Sequence, residues 1–237
     1  MISEATIEEA ALEKAAAQRH RAIVRITHWM VVLSVIGLLV SGTGILISHP
    51  RLYWGETGAV GTPSLIDLPI PFSIDPSVWN RPYHFFFAWI LVLTGLTYVA
   101  SGFITRHFRK DLLPAKADLR WNPVVSIVSD HIRWKRPGQE ASTYNVVQRL
   151  TYLAVVFVLF PGILWTGLAM SFGVTSVFPI LATIIGGHQS ARTLHFVFVV
   201  LLLLFVIVHI LMVSLAGFWR NVRAMITGYL PQERKAR

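Results

Sequence analysis

The sequence has no cysteine among its 237 residues. Without thiols it forms no disulfide, has no thiolate nucleophile, attaches no c-type haem covalently and holds no iron–sulfur cluster through cysteine. Charge is scarce as well, at 14% of residues, where a soluble domain carries about a quarter. Apolar residues make up 54%, so the solvent this chain is built for is lipid. Any metal chemistry rests on the nine histidines, on carboxylates or on thioethers.

Four uncharged stretches reach bilayer length, since a hydrocarbon core of about 30 Å needs roughly 20 helical residues. They are Trp29 to Ile47, Tyr83 to Ile104, Leu150 to Phe172 and Leu194 to Leu215. Val174 to Gly187 is also uncharged, but it is short, contains Pro179 and ends in two glycines, which fits an interfacial or re-entrant piece. The first 27 residues are polar and helix-forming, with Thr6 and Glu9 in capping-box spacing and no small-residue cleavage site. The expected class is an all-α integral membrane protein, a four-helix transmembrane bundle with both termini cytoplasmic. Its expected divisions are a cytoplasmic N-terminal helix at 1–27, a four-helix domain at 28–216 and a cytoplasmic tail at 217–237. Within the domain lie an outer loop, 49–82, and a cytoplasmic loop, 106–147.

The formal charge of +9 is a question of distribution. Lys and Arg number four before Trp29, nine from Arg106 to Arg149 and five after Leu215, which is 18 of 21. With four spans these three segments share one side, as short cytoplasmic segments do. The excess therefore reads as membrane orientation, and nucleic acid is not an expected partner. The loop 49–82 holds six prolines with Tyr53, Trp54 and Trp79, an ordered cap suited to interfacial anchoring or to partner docking. In the cytoplasmic loop, Val124, Val125, Ile127, Val128 and Ile132 suit a helix lying on lipid.

Histidine is costly inside a bilayer unless it meets a cavity, a partner or a metal. The fourth span is apolar except for His195, His209 and Ser214. Fourteen residues bring the two imidazoles onto one helix face, about 21 Å apart along the axis. Alternating span direction gives each a companion at its own depth: His84 with His195 outside, His28 with His209 inside. Two facing pairs of imidazoles suit two b-type haems, each with bis-histidine axial ligation. Packing histidines and a proton relay are the alternatives, although the four spans contain no Asp or Glu. A di-zinc site fits less well, because each layer offers two ligands. His49, before Pro50 at the end of the first span, is the rival to His84; His20, His107, His131 and His188 fall in polar segments or loops and are expected in solvent. Gly37, Gly42, Gly44, Gly95, Gly102, Gly162 and Gly167 give room either to a flat ring or to a neighbouring helix. Arg25, Arg81 and Arg192 stand where haem propionates emerge, or snorkel.

From Arg25-Ile26-Thr27-His28-Trp29 to Met225-Ile226-Thr227-Gly228, the chain resembles the bacterial di-haem cytochrome b subunits of membrane-bound formate dehydrogenase, nickel–iron hydrogenase and thiosulfate reductase. The resemblance implies axial ligands at His28, His84, His195 and His209. It also implies a quinone near the cytoplasmic haem, beside Tyr144, Asn145 and Gln148, residues that otherwise read as a helix start. The long outer loop and the extended cytoplasmic loop depart from the pattern and leave the partner's identity open, closest to members accompanying periplasmic molybdopterin oxidoreductases. The expected function is electron transfer between the quinone pool and an extracytoplasmic oxidoreductase, molybdoenzyme-like or hydrogenase-like, in the bacterial cytoplasmic membrane. The expected cofactors are two haem b, with membrane lipid and quinone as partners. Two other readings remain: a stand-alone quinone-linked cytochrome acting on a small species such as superoxide, and a haem-free anchor or transporter.

Overall fold

The computed structural model describes residues 21–58, 61–70, 78–106 and 146–229, the first four residues of the last stretch by their backbone. In chain order the elements are α1 (Ala22–Ser48), a two-stranded antiparallel hairpin of β1 (Arg51–Leu52) and β2 (Ile66–Asp67), and α2 (Asn80–Ile104). Then come α3 (Val146–Ala154), a π turn (Val155–Leu159), α4 (Phe160–Ala169), α5 (Phe172–Thr175), α6 (Ile180–Thr183), α7 (His188–Leu215) and α8 (Phe218–Thr227).

Among the described residues four helices are long and apolar enough to cross a membrane: Ala22–Ser48, Asn80–Ile104, Leu150–Ala169 and His188–Leu215. In hydrocarbon every backbone polar group must be satisfied within the segment, and a helix does this. The hydroxyls within the spans follow the same rule. Ser34 donates to the Met30 carbonyl at 2.8 Å, Thr97 to Leu93 at 2.8 Å and Ser214 to Ile210 at 2.8 Å. The third span changes its hydrogen-bond pattern where Pro161 cannot donate its backbone bond. A π turn precedes the proline, and the Phe160 N–H reaches back to the Val155 carbonyl.

Packing is inverted relative to a soluble bundle. Buried positions include Thr27, Ser34, Ser41, Thr94 and Thr166, while Leu33, Val40, Leu93, Leu204 and Ile207 are exposed. Small residues inside let helix backbones approach, and apolar side chains outside meet lipid. The helices pack as two pairs, α1 with α2 and α4 with α7. A Cβ on Gly37 would collide with the Phe87 ring, one on Gly44 with Asn80 and one on Gly162 with Phe198. These three glycines make room for side chains of the neighbouring helix.

Two boundaries differ from the sequence expectation. α1 begins at Ala22, seven residues before Trp29, so His28 stands within a continuous helix. The third span stops at Ala169, short of Phe172, because Ser171 is extended at φ −81° and ψ 107°. The stretch to Gly187 folds as one-turn helices α5 and α6 that return to α7, as a re-entrant or interfacial piece does. Ala169, Ala182 and Ala191 pack where α4, α6 and α7 meet, and the Trp165 indole donates to the Leu181 carbonyl at 3.1 Å.

At one end of the bundle the start of α1 meets α8. Arg25 donates to the Ile226 carbonyl at 2.6 Å and the Trp29 indole to the Met225 carbonyl at 3.3 Å, so both ends of the described chain lie together. At the other end the loop after α1 is stitched to the start of α7. The Gly55 carbonyl accepts from the backbone of Gln189 and Ser190, the Gly55 N–H donates to Ser190 Oγ at 2.8 Å, and Thr193 donates to the Tyr53 carbonyl at 2.6 Å. Leu52 beneath it is 1% exposed. The described part of the Pro-rich loop is an ordered cap.

Candidate functional site: two histidine layers

α7 carries His195 near its start and His209 near its end, and the antiparallel pair α1 and α2 brings one histidine to each depth. His84, in the second turn of α2, faces His195 with ring centroids 6.3 Å apart and planes at 64°. His28, early in α1, faces His209 at 6.4 Å and 52°. Both contacts run between the two helix pairs.

These separations match one iron held between two imidazoles. A metal–imidazole bond of about 2 Å, plus about 1.1 Å from nitrogen to ring centre, places the centroids roughly 6.2 Å apart. Among the described residues no three His, Asp or Glu side chains converge as a metal site. Two ligands per layer suit haem, whose macrocycle supplies the remaining donors, better than zinc.

The two layers have different walls. In the layer beside the cap, Ser41 Oγ lies 3.1 Å from His84 Nδ1 and Thr166 Oγ1 lies 2.9 Å from His195 Nδ1. Each hydroxyl is followed by a glycine against the same ring. A Cβ on Gly42 would stand 3.2 Å from His84 Cε1, and one on Gly167 would stand 3.6 Å from His195 Cε1. In the layer beside α8 the surroundings are aromatic. Phe205 stacks on His209 at 5.7 Å and 24°, Tyr152 meets it edge-on at 6.5 Å, and Trp29 meets His28 edge-on at 5.4 Å.

The remaining sequence candidates divide. His49 is exposed at the end of α1, and its carbonyl accepts from the Arg192 guanidinium; His84 is the ring that meets His195. His188, expected in solvent, is instead partly covered: it stacks with Phe172 at 5.0 Å and lies 3.8 Å from Glu56, at the edge of a cavity of about 430 Å³. Arg25 donates from its Nη1, while its buried Nε makes no hydrogen bond among the described residues. That donor, three residues before His28, suits a propionate or another anion at this layer. Tyr144 and Asn145, like His20, His107 and His131, lie outside the described residues. Gln148 is described by its backbone, in the first turn of α3. The sequence reading missed Ser41, Thr166, Phe205 and Trp29, although the repeated hydroxyl–glycine step of Ser41-Gly42 and Thr166-Gly167 was a usable signal.

A family model described as prokaryotic cytochrome b561 matches residues 19–228. A curated relative in Azospira oryzae, named "Putative protein-methionine-sulfoxide reductase subunit YedZ1", is 29% identical over 218 residues, covering 89% of this chain and 96% of its own length. No solved structure matches. Because the family model spans all four membrane helices and both histidine layers, the chain belongs to the prokaryotic cytochrome b561 family, integral membrane haem b proteins of electron transport.

Proposed function

We propose that this chain is a di-haem electron-transfer subunit, with His84 and His195 holding one haem b and His28 and His209 the other. The observation that carries the reading is the pair of centroid distances, 6.3 and 6.4 Å, each matching bis-imidazole ligation. Bound haem b supplies one-electron exchange between ferric and ferrous iron. The protein residues do the rest. α7 fixes the two layers about 21 Å apart along its axis, most of a hydrocarbon core of about 30 Å, so the pair of sites carries an electron across the membrane. The apolar spans exclude water, and cations at the ends, Arg25 and Arg192 among them, meet anionic edges of the group.

The charge distribution orients the bundle, with the layer beside α8 cytoplasmic in a bacterial cytoplasmic membrane and the capped layer outside. The cap then faces an extracytoplasmic oxidoreductase partner. The name of the Azospira relative, a reductase subunit, supports a partnered role, and the resemblance to subunits of molybdopterin oxidoreductases supports a partner of that class. The quinone pool is the other terminus, reached near Tyr144, Asn145 and Gln148, whose phenol and amides offer donors and acceptors to a quinone.

The test is a reduced-minus-oxidised visible spectrum with haem quantitation on the purified chain and on His209→Ala. Two b-type haems per chain falling to one in the variant is the expected outcome. A folded wild-type chain without haem overturns the reading.

A further inference from the structure

The hydroxyls beside the outer histidines have only one proton each, and backbone carbonyls of their own helices stand ready to accept it. Ser41 Oγ donates to the Gly37 carbonyl at 2.7 Å, and Thr166 Oγ1 donates to the Gly162 carbonyl at 2.8 Å. With that proton committed, each oxygen can only accept from the ring nitrogen that it touches, at 3.1 Å from His84 Nδ1 and 2.9 Å from His195 Nδ1. The carbonyls of Leu38 and Ile163 stand by the same two hydroxyls as second acceptors, at 3.3 Å and 3.1 Å. That arrangement would put the proton of each ring on Nδ1 and leave the lone pair of Nε2 for the space between them.

We propose that Ser41 and Thr166 are positioning residues that lock His84 and His195 in the Nδ1–H tautomer and thereby hold the potential of this layer down. The inference rests on the reading of His84 and His195 as an axial pair. Its physical basis is general. A histidine ligand that donates its second N–H becomes a more basic donor, which favours the more positively charged metal and lowers the reduction potential. The two hydroxyls come from different helices, Ser41 from α1 and Thr166 from α4, and each acts on the histidine of the helix packed against its own. Each is buried, Ser41 at 4% and Thr166 at 2% exposure, so water does not compete for the bond. Both are followed by a glycine under the same imidazole, which brings the helix backbone close enough for so short a side chain to reach. Among the described residues no hydroxyl bonds the His209 ring, which meets Phe205 and Tyr152 instead. The paired hydroxyl–glycine step is found at His84 and His195.

The experiment is a spectroelectrochemical redox titration of the full chain in lipid nanodiscs, comparing wild type with Ser41→Ala and Thr166→Val and with the hydroxyl-restoring Ser41→Thr and Thr166→Ser. One of two titration steps is expected to move to higher potential in each hydroxyl-free variant, to stay near wild type in the restoring ones, and to leave the other step in place. No shift, or equal shifts of both steps, overturns the proposal. A merely structural role would lower haem content without moving a midpoint. A second measurement needs no haem and no variant: solid-state NMR of the full chain with ring-¹⁵N histidine, expressed with haem synthesis blocked. Protonated Nδ1 with bare Nε2 at His84 and His195 is expected there, and the opposite tautomer overturns the proposal. If the wild-type chain takes up no haem, the functional reading fails while this spectrum still decides the tautomer.

Discussion

The two histidine layers share residue type, spacing and the helix α7, yet they are built from different materials. The layer under the cap grips its rings by hydrogen bonds, from Ser41 and Thr166. The layer beside α8 leans its rings on aromatic faces, Phe205 on His209 and Trp29 on His28. A hydrogen bond fixes a tautomer and alters ligand basicity. An aromatic face fixes ring orientation through contact. If both pairs hold haem as proposed, the two sites have separate means of adjusting their potentials.

The largest perturbation removes a ligand from one layer and reads the other. His195→Ala is expected to halve haem content and leave a single redox step, that of the layer at His28 and His209. His209→Ala is expected to halve it too, leaving the other step. If both variants retain the same midpoint, the layers do not differ as their surroundings say. Next is Phe205→Ala. Loss of a half-buried ring costs on the order of 2 kcal/mol, felt at His209 alone. Haem loss on mild heating, followed by absorbance, should accelerate for one of the two haems and not for the other.

How much of this was legible in sequence depends on the length scale of the signal. The four spans were, because bilayer thickness imposes a long, charge-free run on each. The layers were, because His195 and His209 are the main polar interruptions in an apolar helix and their spacing fixes a face and a depth. Residues 174–187 were, from length and Pro179. Shorter-range choices were not. Ser41 and Thr166 look like any small residue of a membrane helix interface, since a hydroxyl bonding its own helix and one serving a neighbour's histidine have the same local sequence. The glycines illustrate this: Gly37, Gly44 and Gly162 receive a neighbouring side chain, Gly42 and Gly167 a histidine, and Gly95 has open space within 4 Å of where a Cβ would be. The division depends on which helices pair. The end of the third span at Ala169 was missed because Met170 to Phe172 is apolar enough to continue, and the turn is set by packing of α6 against α4 and α7.

Within the capped layer the two glycines offer a finer comparison. A methyl group at Gly42 would stand 3.2 Å from His84, tighter than an ordinary contact, while one at Gly167 would stand 3.6 Å from His195, within ordinary contact. Gly42→Ala should therefore displace the His84 ring by a few tenths of an ångström, at a cost of about 1 kcal/mol, and lower haem occupancy of that layer. Gly167→Ala should bind haem as wild type does. Haem-to-protein ratios of the two variants check this, and equal losses would mean that the glycines act on helix packing rather than through the rings.

The smallest effect expected separates the layer from the scaffold beside it. Trp165 joins α4 to the re-entrant segment through one bond to the Leu181 carbonyl, at 3.1 Å, and lies one residue before Thr166. Trp165→Phe keeps an aromatic ring and removes the donor, a loss of about 1 kcal/mol that falls on the seating of α6. Because Thr166 takes its position from the α4 backbone, and its bonds run to Gly162 and His195, thermal stability should drop slightly while both redox midpoints stay in place. A midpoint that moves in Trp165→Phe would show that the re-entrant segment reaches the His195 ring through α4, and the contrast between the layers would then extend from side chains to the backbone that carries them.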